Sequence, residues 1–308
     1  MKRKRRKQFI APAPAIKPCP ELQAMLDART WQEKVALRGW MCPALIMADE
    51  VLQGRWDHWC SIMSRMSIGE DEIPPVHWCG DHHNNARKVW ERTLNAVTQY
   101  GGWQGWSSWR NVDFLFDWLL FGFGHKGIDK PREDGEFEGA TMRILDVFDL
   151  PALLREPNDY LGDILADNAH GKHMRFYPTP MSVTRMMVAM TLQGDEDMRE
   201  KSVCDPCVGT GRMLLAASDY SYRLYGADID GTVIKATLIN GYLYAPWLVR
   251  PFPWLELADP VAVSDSIAAQ APEHLAGTEH DPVHGHRFLP IAKRRKVGQP
   301  DIRQGVFL

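Results

Sequence analysis

Two neighbouring stretches set tight limits on what this chain can fold into. Lys201 to Leu215 (KSVCDPCVGTGRMLL) runs from a short apolar strand through an acidic residue and a glycine turn into helix-forming residues, with the helix starting near Arg212. Gly209 and Gly211 permit positive φ and a close backbone approach to a ligand. Asp205, at the carboxyl end of the strand, can accept hydrogen bonds from a cationic or hydroxyl-bearing group. A Gly-x-Gly alone does not specify a cofactor site. Here a second strand follows, Tyr222 to Ala227 (YRLYGA), and it ends in Asp228-Ile229-Asp230. In doubly wound folds a carboxylate about 20 residues after the glycines binds ribose hydroxyls, and Asp228 lies 17 after Gly211. The two signals together point to an α/β unit that holds a nucleoside-containing cofactor.

The rest of the chain reads differently. Ten of the 12 tryptophans fall in the first 118 residues, whereas the cofactor signals lie beyond residue 155. Residues 31–66 and 83–100 carry apolar positions at helical spacing, such as Val89, Leu94 and Val97 after Asn84-Asn85, and Phe114 to Phe123 reads as a buried helix. Gly124 to Gly139 is rich in glycine and charge and marks an exposed loop, and Met142 to Leu154 resumes an apolar pattern. The expected organisation is a basic disordered arm (1–20), a helical Trp-rich domain (21–155), the cofactor-binding domain (156–260) and a loosely ordered tail (261–308). After Pro260 strand-like runs give way to Ala, His, Pro and Gly. A 308-residue chain with 45% hydrophobic residues supports a packed core.

Charge and cysteine usage bound the partners. The formal charge is −3, yet Lys2 to Lys7 are all basic, which leaves −9 on the remaining residues. That arm and Lys293-Arg294-Arg295-Lys296 suit phosphate backbones, which short basic runs bind without reading sequence; a solvated tail is the plainer reading of either. No apolar run reaches membrane-spanning length and no apolar segment follows the basic start, so the expectation is a cytoplasmic protein with six reduced cysteines. His58-Trp59-Cys60, His77-Trp78-Cys79 and Asp81-His82-His83 supply zinc donors, but the spacing fits no ligand pattern and packing is the simpler role, so no metal is expected. Cys204 and Cys207, with Asp205-Pro206 between them, read as loop and strand-packing residues. Trp103, Trp106 and Trp109 with Arg110 have a spacing that suits base stacking, but a Trp-rich turn over a helical core accounts for them.

Four ordered elements carry a family resemblance. Asp205-Pro206-Cys207-Val208-Gly209-Thr210-Gly211 resembles the Asp-Pro-x-x-Gly-Thr-Gly element of N6-adenine-specific DNA methyltransferases of the type I restriction-modification kind. Arg175-Phe176-Tyr177-Pro178-Thr179-Pro180 is similar to their Gln-Phe-Tyr-Thr-Pro element, and Asp159 to Ile164 resembles the Asp-x-x-Gly-x-x segment before it. Ala236 to Asn240, followed by Gly241, is similar to the helix after their second strand. The resemblance spans residues 158–245. It implies a Rossmann-like class I methyltransferase domain, short on its C-terminal side, preceded by a mainly helical domain. It further implies S-adenosylmethionine as cofactor, with Thr179 and Pro180 at its methionine or adenine end, Asp205, Gly209 and Gly211 around the methionine, Asp228 on the ribose and Asp259 near the adenine. DNA is the implied partner.

One element of the family is absent from residues 1–308. The methyltransferases use an Asn/Asp/Ser-Pro-Pro-aromatic tetrapeptide after the fourth strand, whose polar groups bind the target amine and whose ring stacks on the flipped base. Ala245-Pro246-Trp247, Pro251-Phe252-Pro253-Trp254 and Ala258-Asp259-Pro260-Val261 are the nearest strings, and each lacks a required residue. No catalytic residue is assigned. The expectation is a methyltransferase-like protein, a truncated or specialised relative, with a partner chain or Pro251 to Trp254 completing the site as alternatives. The competing function is a non-catalytic cofactor- or DNA-binding relative: a regulator, an anti-restriction factor or a subunit of a larger assembly. An unrelated nucleotide-binding oxidoreductase leaves Tyr177 to Pro180 without a role.

Overall fold

The computed structural model describes residues 30–80, 85–99, 108–167, 178–194, 196–250, 261–263 and 305–307, with three further positions between 24 and 28. The helical periods seen in the first half form helices α1 (Trp31–Val35), α2 (Cys42–Leu52), α3 (Arg55–Arg65), α4 (Asn85–Ala96) and α5 (Ser108–Gly122). Local signals set their ends. Thr30 and Glu33 close a capping box at the start of α1, and Met66, in the left-handed region, stops α3. The apolar pattern of Met142 to Leu154 divides into α6 (Ala140–Leu145) and α7 (Leu150–Arg155), because the Asp149 side chain caps a new helix by accepting from the Ala152 amide at 3.0 Å.

The second half alternates. Helices α8 (Tyr160–Asp167) and α9 (Met181–Leu192) precede strand β1 (Ser202–Asp205), α10 (Arg212–Ala217), β2 (Arg223–Asp228), α11 (Gly231–Tyr244) and α12 (Pro246–Val249). Strands β1 and β2 pair in parallel, Ser202 opposite Arg223 and Asp205 opposite Gly226. A parallel pair needs a crossover, and α10 supplies it. Two further short strands join the sheet, β3 (Val261–Val263) beside β2 and β4 (Gly305–Phe307) beside β1, giving the order β3-β2-β1-β4. Both lie in the stretch expected from sequence as a loosely ordered tail with few strand-like runs.

The two halves share one core. The buried cluster runs from Met41, the residue before α2, to Leu248 in α12 and crosses the boundary expected at Arg155 to Pro157. Helix α11 packs on α5, α2 on α7 and α12 on α3. Arg55 of α3 is fully buried. It donates to the Ser218 hydroxyl at 3.0 Å and to the carbonyls of Ser218 and Tyr244 at 2.7 Å, with its guanidinium 4.3 Å from the Trp247 ring centre. Burial pulls its pKa down to about 10, while Asp219 at 3.4 Å and Asp49 oppose the shift. Trp56 adds a bond from its indole N–H to the Tyr242 carbonyl at 2.8 Å. The helical half therefore braces the residues behind β1 and β2.

Candidate functional site

The site lies at the carboxyl ends of β1 and β2, where parallel α/β sheets present ligands. Asp205 ends β1 and its carboxylate accepts from the Cys207 amide at 3.0 Å, which folds the chain back into the glycine turn. Gly209 and Gly211 both hold positive φ, 55° and 91°, and Gly211 caps α10. Asp228 ends β2 and accepts from the Gly209 amide at 2.9 Å and the Asp230 amide at 3.0 Å. Asp230 in turn caps α11 by accepting from the Thr232 amide at 2.8 Å. The two strand-end carboxylates thus shape the turn between them. Burial pushes the Asp205 carboxyl up, the Cys207 amide pulls it down, and Asp228 nearby adds to the rise.

These groups enclose a cavity of about 260 Å³. Thr179, Asp205, Gly209 and Asp228 line it, joined by Ile229, Asp230 and Cys207. Ile229 is 79% exposed, an apolar side chain left open beside a carboxylate. Pro180 stands next to this wall as the residue before α9, and Gly211 stands behind it at the start of α10. Asp259, Arg175, Phe176 and Tyr177 lie outside the described residues. Arg212 is the single lining cation among the described residues, and it is occupied.

What occupies Arg212 is a buried network that the sequence did not announce. Asp159 is fully buried, and its carboxylate accepts from the Gly162 amide at 2.9 Å, Arg212 Nε at 2.7 Å, Asn240 Nδ2 at 2.8 Å and the Thr210 hydroxyl. Arg212 also donates to the Thr179 carbonyl at 2.9 Å, to the Asp159 carbonyl at 3.1 Å and to the Asp163 carboxylate. Asn240 reaches the Thr210 carbonyl at 2.9 Å, and the Thr237 hydroxyl reaches the Gly209 carbonyl at 2.7 Å. Burial alone would lower the Arg212 pKa; Asp159 and Asp163 outweigh it and raise it. Burial pushes Asp163 up against the pull of Arg212. A side chain at position 162 has no room, since a Cβ there would stand 2.2 Å from Asp159 Oδ2 and 2.6 Å from Thr210 Oγ1. One ion pair thereby fastens the segment at 159–163, the wall at Thr179, the glycine turn and α11 to each other.

A family described as N-6 DNA Methylase matches residues 158–244. This segment is similar to that family over those residues alone. It starts one residue before Asp159 and ends with the last residue of α11, so it encloses the whole network and the cavity. No curated protein and no solved structure matches the chain. The methylase tetrapeptide is expected after the fourth strand. The nearest strings all precede β4: Pro246 and Trp247 are buried in α12, and Pro251 to Trp254 lies outside the described residues.

Other candidates have ordinary surroundings. Trp59 and Trp78 are buried, His58 Nε2 lies 2.6 Å from the Tyr222 hydroxyl, and the Cys79 amide donates to the Pro157 carbonyl at 2.8 Å. Asp81 to His83, Trp103, Trp106 and both basic runs lie outside the described residues. Among the described residues no three His, Cys, Asp or Glu side chains gather as a metal site requires, and no helix is long and apolar enough to cross a membrane. Cys204 sits half-buried on β1, and burial pushes its thiol pKa up.

Proposed function

We propose that this cavity binds S-adenosylmethionine within a Rossmann-like domain and that the chain serves N6-adenine methylation of DNA. The observation that carries the reading is the charge of the cavity. Asp205, Asp228 and Asp230 line it, and its cation, Arg212, is held by Asp159 and Asp163. Such a lining repels a pyrophosphate and favours a nucleoside that carries positive charge, as a sulfonium and an ammonium do. That argues against a nicotinamide dinucleotide and for this cofactor. The strand order β3-β2-β1-β4 and the place of the cavity at the strand ends support the Rossmann-like assignment.

When bound, S-adenosylmethionine would supply the methyl group for the exocyclic amine of adenine. The residues of this chain bind and orient. Asp228 has the position to hold ribose hydroxyls, Ile229 offers an apolar surface for a base, and Asp205 with the Gly209–Gly211 turn faces the cationic end. Thr179, Pro180 and Asp259 belong to the same proposed set. Rate then comes from positioning rather than from a covalent enzyme intermediate.

Calorimetric titration with S-adenosylmethionine, repeated on Asp228→Ala, tests the binding claim, and labelled-methyl transfer to adenine-containing DNA tests the activity. Binding by the wild type that the variant loses supports the cofactor site. Absence of binding overturns it, and binding without transfer assigns the chain a cofactor-binding role alone.

A further inference from the structure

We propose that the outer face of α9 is a self-association surface, on which a second copy of this chain docks its own α9 antiparallel about a two-fold axis. The inference goes beyond the cofactor reading and does not rest on it. Among the described residues ten large apolar side chains are exposed, and four of them, Val183, Met186, Met187 and Met190, stand on this one helix. Their spacing of three, one and three residues gathers them into one stripe. The side of α9 turned to the protein is a different one: Met181, Thr184, Val188 and Leu192 are buried, and the helix packs on α10. Single apolar side chains on a surface are ordinary, whereas a contiguous group of them marks a contact.

The order of the stripe selects the occupant. Val183 and Met190 lie at equal distances from the midpoint between Met186 and Met187, so the stripe reads the same from either end. A two-fold interface requires such self-complementarity. With the axis through that midpoint and the helices about 8–10 Å apart, Val183 packs on the partner's Met190, while Met186 and Met187 each lie beside their own copies. The stripe carries no charge to desolvate, and methionine adapts to the surface it meets. The flanks are complementary as well. In sequence Lys172 and Arg175 precede α9 and Asp195-Glu196-Asp197 follow it, so an antiparallel pair sets the basic approach of one copy toward the acidic exit of the other. Glu196 and Asp197 have Lys201 and Arg199 beside them and keep more than half of their side-chain surface open to further cations.

Four side chains cover less than the roughly 800 Å² per partner of a standard interface, so the pair should be weak and reversible, with a Kd between about 1 µM and about 1 mM. Thr179, which lines the cofactor cavity, directly precedes Pro180 at the start of α9. At about 1.5 Å per helical residue, the Thr179 walls of the two copies stand about 20 Å apart along the pair, toward its opposite ends.

Sedimentation velocity on the full chain from about 5 µM to about 500 µM tests the proposal. The wild type should pass from one copy to two across that range. Met186→Glu and Met186→Lys each set like charges against one another across the two-fold axis, so each alone should sediment as one copy at every concentration. An equimolar mixture of the two variants should regain the two-copy species, because glutamate then meets lysine. That recovery requires an interface in which residue 186 meets itself, and it also shows that both variants fold. A wild type that stays a single copy overturns the proposal, as do variants that associate like the wild type or a mixture that does not recover. A single-copy wild type that floats with phosphatidylglycerol vesicles gives the stripe to a lipid surface instead, and the proposal fails. A wild type that pairs but ignores S-adenosylmethionine sinks the cofactor reading and leaves this one standing.

Discussion

Asp159→Ala is the perturbation that most sharply tests how the site is held. The carboxylate is fully buried and has four donors on it, from Gly162, Thr210, Arg212 and Asn240. Its removal leaves the Arg212 guanidinium with Asp163 as its one paired carboxylate and takes an acceptor from the Thr210 hydroxyl and the Asn240 amide. Breaking a buried pair in this way costs about 3–5 kcal/mol, a large part of the roughly 5–15 kcal/mol that holds a domain folded. At about 2–4 °C per kcal/mol, the melting temperature should fall by about 10 °C in scanning calorimetry. The double variant Asp159→Leu/Arg212→Met removes both charges and should recover much of that loss, because neither partner is then stranded. It should not recover cofactor affinity, since replacing Arg212 takes the anchor from the Thr179 carbonyl. A single variant within about 2 °C of wild type, or a double variant no more stable than the single, would refute the reasoning.

Three further outcomes follow from the same geometry. Gly162→Ala forces a Cβ into Asp159 and Thr210 and should cost about 1–3 kcal/mol, read by denaturant unfolding, whereas Gly194→Ala, with open space around it, should cost less than about 1 kcal/mol. Arg55→Met leaves the Ser218 and Tyr244 carbonyls without their donor and Asp219 without its cation, so about 3–5 kcal/mol should be lost, also by denaturant unfolding. Burial raises Asp49 to about 6, opposed by the Trp56 amide and Arg55. The folded state therefore prefers the protonated acid, and this group's contribution to stability falls as pH rises from about 4 to about 6. Melting temperatures of wild type minus Asp49→Asn should drop across that window and stay level above it.

Much of the site was legible because it is local. The glycine turn, its flanking carboxylates and α11 each occupy a short run whose residue types are dictated by φ or by a strand end, so Asp205, Gly209 and Asp228 could be named from spacing alone. The helical period of 83–100 was similarly sufficient for α4. The Asp159–Arg212 pair was not legible, since 53 residues separate the partners and no periodicity links them. Asp159 and Asn240 stood within the quoted elements, yet only the fold shows that they meet. Strands β3 and β4 span three residues each, too few for alternation to register. The boundary near Arg155 was drawn from tryptophan density, and Arg55 and Trp56 reach across it because the back of α11 needs cover from α3.

The most direct test of the central claim is ultraviolet cross-linking of methyl-labelled S-adenosylmethionine to the full chain, followed by peptide mapping. The account predicts label on the stretches that line the cavity, Asp205 to Met213 and Asp228 to Val233, and its loss on competition with unlabelled S-adenosylhomocysteine. Label confined to other peptides, or label that competition does not displace, would contradict it.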